Sequence, residues 1–405
     1  MSNESHSSSG SRSLKAVFVG LGVLGTIATW GRTVGSGSLG LITAALEQDE
    51  YTLPGSACKL LPSFTGIGPV DYLLRTLVVF FWESVDGSHP KNAAAGLYFA
   101  GQMAPTIVAI YLDGLRRGNG ASLLRPVLWY LVFAAAAVGS SGAAWALVYL
   151  ASSPTLSPSV GLSALQDVSL VASPIAASLL LPATLVAFAG TTVLMGIPSP
   201  TVVSGNFQQW AIVIWNVFPL ILVAIVYALQ PLLGAVLAGR QLSDRQAHLR
   251  AVRWLGVGSV VFGFAMHASV TAVSFSAALF PAIFAPGYAE ALRPLSLAVP
   301  PIGMEVVRTP GDGIWGFMLW DQVFGFTMFM LVFLAQLQNS MRFSDQPLGS
   351  FSWARMAVVC LLSSFLVGPG TTIMAVSWLR DEVLYGVTPK IHSPWKADAK
   401  KLNRG

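Results

Sequence analysis

The chain has 405 residues, of which 54% are hydrophobic and only 10% charged, and its net charge is +5. An ordinary soluble domain carries roughly 25% charged residues, whereas residues 168–239 and 254–289 contain no Asp, Glu, Lys or Arg at all. Since about 20 consecutive apolar residues span a bilayer, the composition excludes a soluble enzyme and predicts an all-α, polytopic transmembrane bundle of about 8–9 membrane segments.

Residues 1–13 are Ser/Gly-rich and read as a disordered tail, 14–380 as a single transmembrane domain, and 381–405 as a basic tail. The first apolar segment, 14–30, has basic flanks at Arg12, Lys15 and Arg32 and no small-residue cleavage site after it, so it reads as a membrane helix. A Gly/Pro-rich loop, 31–66, leads to segment two, 67–82, where Asp71 and Arg75 are spaced for an ion pair. Segment three is 93–111 and ends in a basic loop with Asp113, Arg116, Arg117 and Arg125; Asp113 and Arg116 are spaced for a helix-end pair. Segment four, 127–150, reads as one crossing. Segment five, 169–196, contains Pro174 and Pro182 and is the best candidate for a piece that fails to cross. That would put the basic loops 112–126 and 240–253 on one face, cytosolic by the positive-inside rule. Segment six is 209–238, segment seven 254–280 with His267 at mid-depth, segment eight 315–337 with Asp321 inside it, and segment nine 353–378. Between seven and eight, the loop 281–314 carries Glu305 and Asp312 and has the makings of a lid. The basic loops orient helices, so the net charge calls for no nucleic-acid partner. Cys58 and Cys360 stand alone, which excludes a disulfide scaffold.

The stretch richest in chemistry is FFWESVDGSHP, Phe80–Pro90, which puts two carboxylates and a histidine where an apolar segment ends. Glu83 and Asp86 are three apart and share a face if the helix continues, while Gly87 and Pro90 break it. Ionisable groups beside hydrocarbon are expensive and mark function. Asp86 also suits a plain turn, since Asp-Gly is a common turn pair. Asp321 has no basic residue within a helical turn.

No phosphate-binding glycine loop and no H-E-x-x-H zinc motif occurs. Aspartate-rich pairs that would bridge Mg²⁺ to a diphosphate are missing too, so the sequence implies neither a metal nor another cofactor. What it offers is dispersed acids among 12 Trp and 22 Phe. A carboxylic acid in an apolar pocket keeps its proton at neutral pH and can act as a general acid. Aromatic faces attract cations by ~0.5–2 kcal/mol each.

The block FFWESVDGSHP through YFAGQMAPTIVAIYLDGLRRGN, Phe80–Asn119, with Trp320-Asp321-Gln322, resembles a family of fungal integral-membrane terpene cyclases from meroterpenoid biosynthesis, of the ascochlorin, ascofuranone and macrophorin type. The resemblance implies a multi-pass protein of the endoplasmic reticulum that takes a farnesylated phenol or quinol and protonates its terminal epoxide or olefin without a metal. On that analogy Glu83, Asp86 and Asp321 carry the acid role. The sequence departs from the expected pattern at Asp113, where the family suggests the longer glutamate. A proton-coupled transporter suits intramembrane acids and kinking prolines as well, and a non-catalytic membrane protein is the third reading.

Overall fold

The computed structural model describes residues 2–237, 242–304, 306–343 and 352–386. The described residues are helical and contain no strand. Glu305 and the basic tail from Lys390 lie outside them.

Fourteen principal helices follow in chain order: α1 (Ser2–Thr26), α2 (Ser38–Glu47), α3 (Gly68–Val85), α4 (Pro90–Gly114), α5 (Leu124–Ala136), α6 (Val138–Ser152), α7 (Leu162–Ser169), α8 (Pro174–Thr184), α9 (Gly205–Asn216), α10 (Phe218–Leu237), α11 (Asp244–Leu279), α12 (Pro310–Met341), α13 (Trp353–Val367) and α14 (Pro369–Gly386). Six helical stretches are long and apolar enough to cross a membrane: 12–35, 90–114, 174–195, 218–236, 244–279 and 310–341. That is fewer than the eight or nine segments expected, because three apolar stretches do something else.

Segment four is the clearest case. It breaks at Ala137, whose φ of 67° is rare outside glycine, into α5 and α6, and both outer ends of the pair return to the same place. Arg125 Nη1 at the start of α5 donates to Asn119 O at 3.0 Å, and Tyr149 near the end of α6 meets the Asn119 side chain at 2.9 Å. The segment is therefore a V-shaped hairpin that enters and leaves by one face. Such a break exposes backbone groups, which hydrocarbon tolerates only where protein satisfies them. Trp30 Nε1 donates to Ala136 O at 2.8 Å, and Gly139 N donates to Asp321 Oδ1 at 2.6 Å.

A second break, at Gly368 (φ 96°), joins α13 to α14. It lies against Gln102, midway along α4, which bonds Gly263 O and accepts from Thr371 N. The third case is α3, which carries Asp71, Arg75 and Glu83 and is not among the six spans. Asp71 accepts from Ser63, Phe64, Thr65 and Gly66, and Arg75 reaches Leu46 O. No ion pair between Asp71 and Arg75 forms among the described residues, because the loop before α3 supplies four closer donors.

Segment five runs through the molecule rather than stopping. Ala172 N bonds Leu115 O at one end, while Met195 O accepts from Gln208, which also reaches Val85 O, at the other. The two basic loops still share a face, joined by Arg117–Asp244 at 2.5 Å; the hairpin at segment four, not a stalled segment five, puts them there. Helix α1 runs from Ser2 to Thr26, and α14 continues to Gly386, with Arg380 and Asp381 fully buried and ion-paired within it.

Candidate active site

The site is built where three helix ends meet: the last turn of α3 and the first turns of α4 and α12. Helix α3 stops because Asp86 turns back on its own loop, accepting from Ser88 N at 2.8 Å and from Ser88 Oγ at 2.7 Å. Gly87 adopts φ 86°, and Pro90 opens α4 at a position where its missing N–H costs nothing. At α12 a capping box forms, with Asp312 N on Thr309 Oγ1 and Thr309 N on Asp312 Oδ2.

Glu83 points into this junction and is buried at 2% exposure. Its Oε2 accepts from Gly311 N at 2.5 Å. Gly311 is the one residue type that fits, since a Cβ there would stand 2.5 Å from Glu83 Cβ and 2.7 Å from Oε2. Asn92 pins the same glycine by donating to its carbonyl at 2.8 Å. Glu83 Oε1 lies 3.7 Å from His89 Nδ1, and His89 Nε2 lies 3.4 Å from Asp312 Oδ1. Ser88 Oγ stands 2.8 Å from the same Nδ1. The result is a line of groups, Glu83 to His89 to Asp312, from a buried carboxyl to a partly exposed one. Burial is the largest influence on Glu83 and pushes its carboxyl above the ordinary range, against the pull of the Gly311 N–H, the Thr309 side chain and His89. Phe80 and Phe317 pack edge-to-face beside the junction with centroids 5.1 Å apart.

The three acids singled out in the sequence are not brought together. Glu83 occupies this junction, and Asp86 forms the turn beside it. Asp321 lies ten residues beyond Gly311 along α12, a rise of about 15 Å. It is buried and faces the bundle, but there it supplies the acceptor for Gly139 N at the broken start of α6. His267 bonds Tyr98 through Nδ1 at 3.1 Å, the satisfied histidine of a helix contact. Trp215 is buried against Phe81 and Phe188, while Phe264 faces outward.

Sequence reasoning missed His89 as the link between Glu83 and Asp312, although it stands in the motif. It also underestimated the far end of α4. The expected Asp113–Arg116 pair forms at 2.9 Å, but it is the edge of a larger buried cluster. Arg116 also grips Asp381 through two nitrogens, at 2.9 and 2.7 Å, and Arg380 pairs with the same aspartate at 2.7 Å. Asp113 further accepts from Asn119, Gln336 and Tyr149. Burial opposes the Arg116 charge, yet Asp381 and Asp113 hold its guanidinium above the usual range. Among the described residues no three His, Cys, Asp or Glu side chains gather as a metal-ligand set.

The CtvD domain family matches residues 14–385. The chain belongs to that family. It is 26% identical to terpene cyclase ctvD of Aspergillus terreus over 355 residues, covering 85% of this chain and 92% of the relative. Terpene cyclase ascI of Acremonium egyptiacum is 23% identical, over 85% of this chain and 83% of the relative. Terpene cyclase sdgD of Emericella nidulans is 21% identical, over 82% and 83%. No solved structure matches.

Proposed function

We propose that this CtvD-family protein is a membrane-embedded terpene cyclase in which Glu83 is the general acid and His89 with Asp312 resupplies its proton. The observation that carries the reading is the buried Glu83 carboxyl, held by Gly311 N–H and Thr309 and lying 3.7 Å from His89, which in turn stands 3.4 Å from the partly exposed Asp312. In the first step the Glu83 proton passes to the oxygen of a terminal epoxide, or to the less substituted carbon of the terminal olefin, on a prenylated phenol or quinol. The C–O bond, or the π bond, gives up its electrons and leaves a tertiary cation. Neighbouring double bonds of the prenyl chain attack in turn, and loss of a proton from the last cation ends the cascade.

Glu83 is suited to this for two reasons. Burial raises its pKa and so favours the protonated form, and its Oε1 lies 3.7 Å from His89 Nδ1, on the side from which a proton can return. The ionised form left behind is stabilised by Gly311 N–H and by a His89 that takes up a proton, which is how the acid recovers. Phe80 and Phe317 offer faces to a passing cation. Asp86 and Asp321 act on position instead, one fixing the turn and the other the hairpin apex. The chemistry asks for no metal or other cofactor. Six crossings with the basic loops on one face fit residence in the endoplasmic reticulum membrane, those loops toward the cytosol.

The test is conversion of an epoxyfarnesyl phenol by membranes containing the full-length chain. Cyclised product with the wild type, and none with Glu83→Gln at equal protein level, is the expected result. Product formation by both would remove Glu83 from the role. Unchanged substrate moved across the membrane would instead favour a transporter.

A further inference from the structure

A second site lies at the other end of α4, about 35 Å along the helix from His89. There the legs of the α5–α6 hairpin diverge around a cavity of ≈ 380 Å³ lined by Asp113, Asn119, Arg125, Trp129, Trp145 and Tyr149 among others. This is within the volume range of small-molecule sites. Nothing in the proposed cyclisation uses it.

Its chemistry is divided between floor and rim. On the floor Asp113 is already answered: Arg116 pairs with it, and Asn119, Gln336 and Tyr149 donate to it. At the rim Arg125 is exposed and has one hydrogen bond, to Asn119 O, and no ion pair among the described residues. By contrast Arg117, a few residues away, pairs with both Asp167 and Asp244. The walls are indoles: Trp145 stacks on Tyr149 at 5.5 Å, and Trp129 stacks on Phe133 at 6.1 Å. Val148 lines the cavity and is 52% exposed, so the opening meets the lipid-facing side of the hairpin.

We propose that this cavity binds an anionic amphiphile, its phosphate head on Arg125 and its apolar tail between Trp129 and Trp145. A guanidinium with unused donors is the best protein partner for an oxyanion. The neutralised floor leaves it without a competing carboxylate, and entry from the side admits a molecule already dissolved in the bilayer.

The test uses the full-length protein in phosphatidylcholine nanodiscs, titrated with dodecyl phosphate or with uncharged dodecyl maltoside while tryptophan fluorescence is followed. Dodecyl phosphate should give a saturable change and dodecyl maltoside none. Arg125→Gln should weaken binding by about tenfold or more, the equivalent of one charge-assisted hydrogen bond. Arg125→Lys should fall between them, and it keeps the test alive if the glutamine variant misfolds. Trp129→Phe should shrink the signal, whereas Arg117→Gln and Glu83→Gln should leave the affinity unchanged. Adding phosphatidic acid to the nanodisc separates two sources of the head group. If it competes, a bilayer lipid is the occupant; if it does not, the occupant is a single-chain phosphate. An equal response to both detergents, or wild-type affinity in Arg125→Gln and Arg125→Lys, overturns the proposal.

Discussion

Helix α4 has a buried carboxylate near each end, and the two live in opposite circumstances. Glu83, packed against its first turn, receives the Gly311 N–H and the Thr309 side chain and faces a histidine. Asp113, in its last turn, receives an arginine, an asparagine, a glutamine and a tyrosine. Burial alone therefore does not tell which acid can give up a proton. What differs is the donor set: two neutral donors beside a histidine at one end, and an arginine with three neutral donors at the other. In the proposed cyclase the first arrangement is the acid, and the second ties helix ends together.

The sharpest way to break that contrast is to remove the charge at each end. Glu83→Gln should cost ~10²–10⁴-fold in turnover while the amount of inserted protein stays normal. Asp113→Asn should do the reverse, lowering protein level and thermal stability. Breaking a buried pair costs ~3–5 kcal/mol because the partner charge is left unanswered. If Asp113→Asn inserts normally but does not turn over, and Glu83→Gln turns over, the two ends have been assigned the wrong way round.

A subtler variant keeps the acid and moves it. In Gly311→Ala the new methyl would meet Glu83 Cβ at 2.5 Å and Oε2 at 2.7 Å. Most of the activity should vanish without loss of the carboxyl, which chromatographic product assays on matched membranes would detect. His89→Gln should reduce turnover less than Glu83→Gln, because water can still return the proton slowly.

The pH profile follows from the raised Glu83 pKa. A carboxyl whose folded pKa lies above its unfolded value stabilises the fold fully below the unfolded value, and that contribution is lost as pH rises through the folded one. Activity that needs the protonated acid should fall in the same window, so kcat/KM should have an alkaline limb that Glu83→Gln lacks. The smallest effects close the series. Asp86→Asn preserves a turn-forming side chain and should stay near wild type, and a chelator should leave turnover unchanged.

Much of this molecule was legible in the amino-acid order. Charge-free stretches marked the long apolar helices, and the Phe80–Pro90 motif located the junction that now holds Glu83. The hairpin was not legible, because FAAAAVGSSGAAW around Ala137 has neither a proline nor a charge to announce a break. The small residues there are themselves the clue. Gly139 lets α12 approach so closely that a Cβ would meet Asp321 Oδ1 at 3.1 Å. Asp321 stood out because an acid within hydrocarbon is costly; a broken helix start in hydrocarbon is costly too, and the Gly139 N–H on Asp321 Oδ1 answers both. The Asp113 cluster escaped because its parts are far apart in sequence. Asp381 sits 265 positions from Arg116, in what reads as the start of a tail. The available hint was an Arg-Asp pair following an apolar segment with no loop between.

That separation in sequence sets a timetable for biogenesis. The ribosome delivers Asp113, Arg116 and the whole α5–α6 hairpin long before it delivers Gln336, Arg380 and Asp381. Until then Arg116 lacks one of its two carboxylates, and the hairpin apex lacks Asp321. A nascent chain released before α12 would carry a half-paired guanidinium and an unsatisfied helix start. Quality control at the membrane therefore has a built-in mark of incompleteness to read, erased only when α12 and α14 have docked.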